Sequence, residues 1–530
     1  MDPIEARQQR GVEHSVIKQK TRWTITPWSE QEEQQAGLLA ETLRLSPLVA
    51  RLLVRRGCSD PAVAERFLFA GPQHLHDPFL LKGMKEAAER IHSAGETGEK
   101  IRIYGDYDAD GVSSTSLLVY LFRELGYDYD YYIPHRMLEG YGLNRKALEL
   151  AAEDGVKLIV TVDTGISAFE EIEYAKELGL DVVVTDHHEP PERIPDAVAV
   201  VNPKQHDCPY PFKGLAGVGV AFKLAHALLG SAPLQWADIV CLGTIADLMP
   251  LTDENRILVR EGLALLQTME KPGFRALAEV SGIEQGQVTA TSVGFGIAPR
   301  INAAGRLDHA RRAVELLISP SYDEAILTAS ALDLLNKERQ RLVEGIVKEA
   351  EEQWASKAAH AEAEGVPVPS VIVLAGEGWN VGIIGIVASK LLERHYKPTI
   401  IFGIDPDTGM AKGSARSIDG FDLHAALTEC EALLDHYGGH QAAAGMSLHR
   451  DNLPALEQQM SGLADRWLTA DDWIPKTSID LICGVEEATL QTISQLSQLE
   501  PFGNANPSRG FYSAGQRLAT AGQSARTTNI

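Results

Sequence analysis

Three apolar runs, each ending in acidic or imidazole side chains, limit what this chain can become more than any other feature. IRIYG leads into Asp106, Asp108 and Asp110, LIVTV into Asp163, and DVVVT into Asp186, His187 and His188. Helical stretches such as STSLLVYLFRELG and ISAFEEIEYAKELG separate them, and a further run, AVAVVN, follows. Strand alternating with helix predicts an α/β fold with a parallel sheet flanked by helices. Ligands of such sheets sit beyond the carboxyl ends of the strands, and the acids lie there. Read as an extended segment, Asp106, Asp108 and Asp110 point to one side and crowd their charges. Protons or cations must relieve that crowding. A divalent metal site does so, and it points to hydrolysis by metal-bound water.

Each group also has a plainer reading. The GDYDADG segment fits a turn-rich surface loop, and Asp163 fits a helix cap. Asp247, after the apolar run DIVCLGTIA, fits a helix-end carboxylate. His187 and His188 favour the metal reading, because paired imidazoles at a strand end are poor packing residues. Imidazole beside carboxylate suits manganese, zinc or iron better than magnesium alone. Gly111 and Ser113 to Ser116 open a helix whose N-terminus would favour an anion such as phosphate.

The rest of the chain sets bounds. A length of 530 residues implies three or four domains. A net charge of −24 argues against coating nucleic acid by bulk charge, but leaves room for an enzyme with a local basic channel. The five cysteines form no CxxC pair and read as reduced thiols. No apolar stretch reaches the roughly 18 residues of a membrane span, and the N-terminus has no signal core. These point to the cytoplasm. Residues 1–37 read as an irregular polar arm and 38–95 as helical, with Asp60 a candidate cap before Pro61. Residues 214–318 read as mostly helical and 321–360 as one long charged helix bridging two domains. A second α/β domain runs from about 369 to 468, a short unit begins near 473, and the tail after EPFGNANP reads as disordered.

DYDADG, DTG, DHH and GTIADLMPL, in this order and spacing, resemble the four motifs of the DHH phosphoesterase family. GGHQAAAG resembles that family's associated DHHA1 domain. HRMLEGYGLN, VNPKQHDCPYPFKGLAGVGVAFKL and GFGIAPRINAAGRL resemble its RecJ branch, single-strand-specific 5′-to-3′ DNA exonucleases. The likeness covers about residues 40–506. It implies an N-terminal arm and helical region over 1–95, a DHH catalytic domain over 96–320 and a connecting helix over 321–360. It further implies a DHHA1 domain over 361–468, an incomplete OB-like region over 469–506 and a tail over 507–530.

The resemblance also assigns roles. Asp108, Asp110, Asp163, His187 and Asp247 match metal ligands, with Asp163 bridging two Mn2+ or Mg2+ ions about 4 Å apart. Asp106, Asp186 and His188 would support them, with His188 donating to a phosphoryl oxygen or the leaving group. Tyr104 stands where many members have a His, which implies a first metal that is weakly held or enters only with substrate. Arg136 and Arg306 match positions that hold the terminal phosphate, and Ser414, Arg416, Gly438, Gly439 and His440 match a second substrate-binding stretch. His440 also fits a turn-fixing role, and Trp379 and Tyr437 fit core packing better than base stacking. Arg300, Arg306, Arg311 and Arg312, facing only Asp308, make the RINAAGR stretch locally basic. The implied active site lies in a cleft between the two α/β domains, with single-stranded DNA as substrate and a helicase and a single-strand-binding protein as partners. Two alternatives are a phosphodiesterase for short oligonucleotides or cyclic dinucleotides, and a non-catalytic DNA-binding scaffold. The incomplete OB-like region implies weaker strand binding.

Overall fold

A computed structural model of the protein describes residues 21–136, 138–508 and 510–512. Residues 1–20 of the expected arm, and nearly all of the expected tail, lie outside them. By packing, the chain divides into two compact units. Among the described residues, one holds those of 26–342 and 480–512, the other 21–25 with 343–479.

The larger unit is built on a five-stranded, all-parallel sheet. Its strands are β1 (Lys100–Tyr104), β2 (Tyr129–Tyr132), β3 (Val156–Val162), β4 (Asp181–Thr185) and β5 (Ala199–Val201), in the order β2-β1-β3-β4-β5. The apolar runs predicted as strands are strands. β2 carries no such signal: YDYY is half-buried along its length and forms the sheet edge by pairing with β1. Helix α1 (Ala109–Leu125) packs with α2 (Gly217–Leu229) and α3 (Ala237–Ala246), burying Leu117, Leu121, Phe122, Val218, Phe222 and Leu242 in one core. Helix α4 (Ala298–Leu307) carries the RINAAGR stretch.

Part of the expected arm is regular. Arg22–Ile25 is a strand paired in parallel with Lys476–Ile479, and Glu30–Leu43 is a helix. The Ser29 hydroxyl accepts from the Glu32 N–H, and the Glu32 carboxylate accepts from the Ser29 N–H, a reciprocal cap. That helix buries only Ala36 and Leu39, so its apolar pattern is faint. Asp60 caps Pro61–Phe69 as expected, accepting from the Ala62 and Val63 N–H groups.

Helix α5 (Tyr322–Glu364) is the long predicted helix. The smaller unit has a mixed sheet of β6 (Ile372–Glu377), β7 (Thr399–Ile404), β8 (Met410–Arg416), β9 (His436–Gly439) and β10 (Ala443–His449), in the order β9-β10-β8-β7-β6. Only β6 and β7 pair in parallel. Its core gathers Val373, Ile400, Phe402, Leu427, Leu448 and Leu456. Among the described residues the expected OB-like region forms no barrel. It contributes Lys476–Ile479, a two-residue strand Leu481–Ile482 paired with Phe511–Tyr512, and the helix Leu490–Ser497.

Candidate metal centre

The sheet order reverses between β1 and β3, and such a switch point opens a crevice beyond the strand ends. The first acids sit there, though not on an extended segment. β1 stops at Tyr104, Asp106 lies in the turn, and Asp108 caps α1 by accepting from the Asp110 and Gly111 N–H groups at 2.9 and 3.1 Å. Asp110 is already in the first helical turn. The chain therefore fans the three carboxylates around a strand-to-helix turn.

Asp110 is held by a distant element. Its oxygens accept from the Gly217 N–H at 2.7 Å and the Val218 N–H at 2.8 Å, the first amides of α2. A helix N-terminus favours a carboxylate in this way. The approach needs glycine: a Cβ on Gly217 would lie 2.6 Å from Asp163 Oδ1, and one on Gly243 of α3 would lie 2.7 Å from Asp110 Oδ1. Asp163 follows β3 directly, with φ at 60°, a backbone region costly for a residue with a side chain. It does not cap a helix, since the next one, Phe169–Glu177, follows Ala168. Asp186 organises the third strand end. Its Oδ1 accepts from the His187 and His188 N–H groups and meets His188 Nδ1 at 2.8 Å, while its Oδ2 accepts from the Ile166 N–H at 2.9 Å.

These supports bring the acids to one point. His187 Nε2 lies 3.0 Å from Asp163 Oδ1, 3.5 Å from Asp247 Oδ2 and 3.8 Å from Asp110 Oδ2. Three overlapping groups have ligand atoms within 4.8 Å of one another: Asp110 with His187 and Asp247, Asp106 with Asp108 and Asp163, and Asp163 with His187 and His188. Asp106 Oδ1, Asp163 Oδ1 and His187 Nδ1 are buried and receive no hydrogen bond. Burial first, and neighbouring carboxylates second, push Asp106 and Asp163 well above the usual carboxylate range. Burial, joined by Asp247 for Asp110 and by Asp108 for Asp247, raises both to about 7. Burial lowers His187, which keeps its ring neutral and able to coordinate. A nest of buried, mutually repelling carboxylates with orphaned oxygens and a neutral imidazole fits one or two divalent cations.

His188 sits at the rim, with its side chain 47% exposed. Burial works against its charge, but the hydrogen bond with Asp186 and the acidic neighbours outweigh this and raise it to about 9. Tyr104 faces the loop that includes Gly142 and Asn144. It is fully buried, donates to Gly142 O at 3.0 Å and accepts from Asn144 Nδ2 at 3.2 Å. It thereby anchors the loop that carries Tyr141.

Several expectations change. Ser113 and Ser116 donate back to Ala109 O and Val112 O inside α1, and all four residues from 113 to 116 are buried, so they offer nothing to an anion. Arg306 lies in the last turn of α4. The stretch around it is less basic than its sequence implies, because Arg300 pairs with Asp333, Arg311 with Glu315 and Arg312 with Asp308. Arg136 lies over the Tyr107 ring, 4.8 Å from its centroid. In the smaller unit, Ser414 and Arg416 sit on β8, and Arg416 donates to Ser414 Oγ at 3.2 Å and Ala415 O at 2.7 Å. Gly438 and Gly439 end the exposed strand β9, and His440 Nδ1 accepts from the Ala442 N–H, fixing the turn to β10. Trp379 is buried and donates to Glu349, and Tyr437 packs against the core.

Sequence reasoning missed the supports. Asn302 accepts from the Ala109 N–H at 2.9 Å, and a Cβ on Gly305 would lie 2.2 Å from Tyr107 O, so the RINAAGR helix braces the first acidic turn. Asn504 Nδ2 donates to Leu248 O at 2.6 Å, and its carbonyl accepts from the Leu251 N–H at 2.9 Å. The EPFGNANP segment thus clamps the loop after Asp247. The only sequence signal for either was an asparagine beside glycines.

Residues 100–244 match the DHH family, N-terminal domain, and residues 369–465 match the DHHA1 domain. The chain is 48% identical over 492 residues to the single-stranded-DNA-specific exonuclease RecJ of Bacillus subtilis, covering 93% of this chain and 61% of that protein. It is 38% identical to the RecJ exonuclease of Dickeya dadantii, covering 88% of this chain and 83% of that one. The crystal structure of RecJ in complex with Mn2+ from Thermus thermophilus superposes with a TM-score of 0.78 at 33% identity, covering 92% of this chain and 69% of that chain. With both domains matched, and a relative of this identity spanned over most of its length, the chain belongs to the RecJ family of DHH phosphoesterases.

Proposed function

We propose that this chain hydrolyses phosphodiester bonds of single-stranded DNA from the 5′ end, in recombination and repair, with two Mn2+ or Mg2+ ions. The observation that carries the reading is the meeting of buried Asp110, Asp163 and His187 with the partly exposed Asp247, with Asp106 and Asp108 completing an adjoining group. These residues would hold the ions, which when bound supply activated water and neutralise charge on the phosphate. Asp186 holds His188 Nδ1, which leaves Nε2 to meet a phosphate oxygen or the leaving group. Arg136 and Arg306 take the terminal phosphate in this reading. Arg416 is half-buried with no carboxylate partner among the described residues, and burial lowers its pKa. Such a guanidinium is suited to an anion, and with Ser414, Gly438, Gly439 and His440 it forms the second substrate-binding stretch. A helicase and a single-strand-binding protein as partners rest on the family alone. The cytoplasm is supported by the five free cysteines, and no helix among the described residues is long and apolar enough to cross a membrane.

Digestion of 5′-labelled single strands, duplexes and dinucleotides, with and without Mn2+, tests the reading. The expected result is Mn2+-dependent release from single strands. Preference for dinucleotides, or digestion unaffected by Asp163→Ala, would overturn it.

A further inference from the structure

The wall beside Asp247 is apolar and open. Asp247 ends α3, and Leu248 follows with φ at 56° and 71% of its surface exposed. An exposed leucine in a left-handed conformation gains nothing from burial and costs backbone strain. Opposite it, Phe295 is 84% exposed at the centre of a π-helical turn, Val293–Ile297. Such turns often occur at functional sites. Gly294 lets the turn approach α3, since a Cβ there would lie 3.3 Å from Ile245 Cγ2. Leu248 and Phe295 line one cavity of about 390 Å3, floored by Met249, Leu251, Ala290 and Phe502. That volume is within the range of small-molecule sites, about 300–1,000 Å3. Asn504 holds the Leu248 end of the wall in place.

We infer that Leu248 and Phe295 form a platform for a nucleobase of the strand whose phosphate lies at the acid cluster. The inference rests on the nuclease reading above. Three observations favour a base over a protein segment as occupant. The wall begins one residue after Asp247, a candidate metal ligand, and Ile245 and Ala246 of the same end of α3 also line it. Its one large exposed ring offers a stacking face, and stacking of this kind accepts any base. Its lining holds no charged side chain, as a base without its phosphate requires. Phe295 thereby reads the presence of a base, while the acids read the phosphate.

The test compares hydrolysis of a 5′-phosphorylated oligodeoxynucleotide with the same strand carrying abasic residues at its first positions. The unmodified chain should prefer the base-bearing strand. Phe295→Ala should raise KM for that strand by roughly tenfold, the scale of losing one base–aromatic stack. It should change kcat little and leave KM for the abasic strand as it was, and Phe295→Trp should restore the preference. A Mn2+-induced thermal shift equal to that of the unmodified chain shows that Asp247 is undisturbed. If Phe295→Ala keeps the original ratio between the two strands, the platform is wrong, and a wall serving a protein partner would give that result. If the unmodified chain cuts neither strand, the nuclease reading itself fails.

Discussion

Asp163 concentrates the cost of this site in one residue. It is 2% exposed, has φ at 60°, and sits among carboxylates with one oxygen that accepts no hydrogen bond. Asp163→Asn removes the buried charge but keeps the shape. The metal-free variant is therefore expected to melt higher than the unmodified chain, by about 1–3 kcal/mol of stability, while losing Mn2+-dependent hydrolysis. Melting curves with and without Mn2+ check both halves. Asp110 and Asp247 give a pH dependence of definite sign. Each rises from an ordinary value of 3.8 to about 7 in the folded state. The fold thus favours the protonated form, so the contribution of these two groups to metal-free stability is fullest below about pH 4 and is lost as pH rises to about 7. Added Mn2+ should stabilise little at pH 5 and strongly at pH 8, which denaturant titration at the two values measures. The acids themselves were legible, because a carboxylate at the end of an apolar run is conspicuous. Their pairing was not, since the extended reading placed Asp110 on a strand when it lies in a helix.

At the scale of elements, helices do the positioning. The first turn of α2 is the Asp110 support, and Gly217 is its contact point. Gly217→Ala would force a methyl group within 2.6 Å of Asp163. Mn2+ affinity is expected to fall about 10- to 100-fold, as for other losses of a support behind a ligand, while far-UV circular dichroism stays unchanged. α2 is in turn tied to Asp253–Thr268 by Lys223 and Glu254, both fully buried and ion-paired, with Tyr210 also donating to Glu254. Lys223→Met leaves Glu254 buried without its cation and is expected to cost about 3–5 kcal/mol, much of it recovered when Glu254 is also made apolar. Denaturation of the single and double variants checks this. Sequence periodicity showed α2 as a helix, but nothing in GLAGVGVAFK says which carboxylate it faces. β2 escaped detection because YDYY is half-buried at every position and carries no apolar run.

Over the whole molecule, each unit has its own apolar core and all of the acid cluster belongs to the larger one. Hydrogen exchange should therefore show Mn2+ protecting amides around 105–111, 162–166, 186–188 and 217–218 while leaving the sheet over 372–449 unchanged. Protection spread evenly over both units would contradict that independence. By itself the sequence determined the parallel α/β domain and the order of the strand-end acids. These follow from local alternation and from a topological rule that needs no coordinates. Only the tertiary structure decided which acid and imidazole side chains come within 4.8 Å of one another, that Tyr104 anchors a loop, and that Asn302 and Asn504 brace the segments around the acids. Such contacts join residues 38 to 256 positions apart. They depend on how helices pack over the sheet, and local pattern carries no record of that.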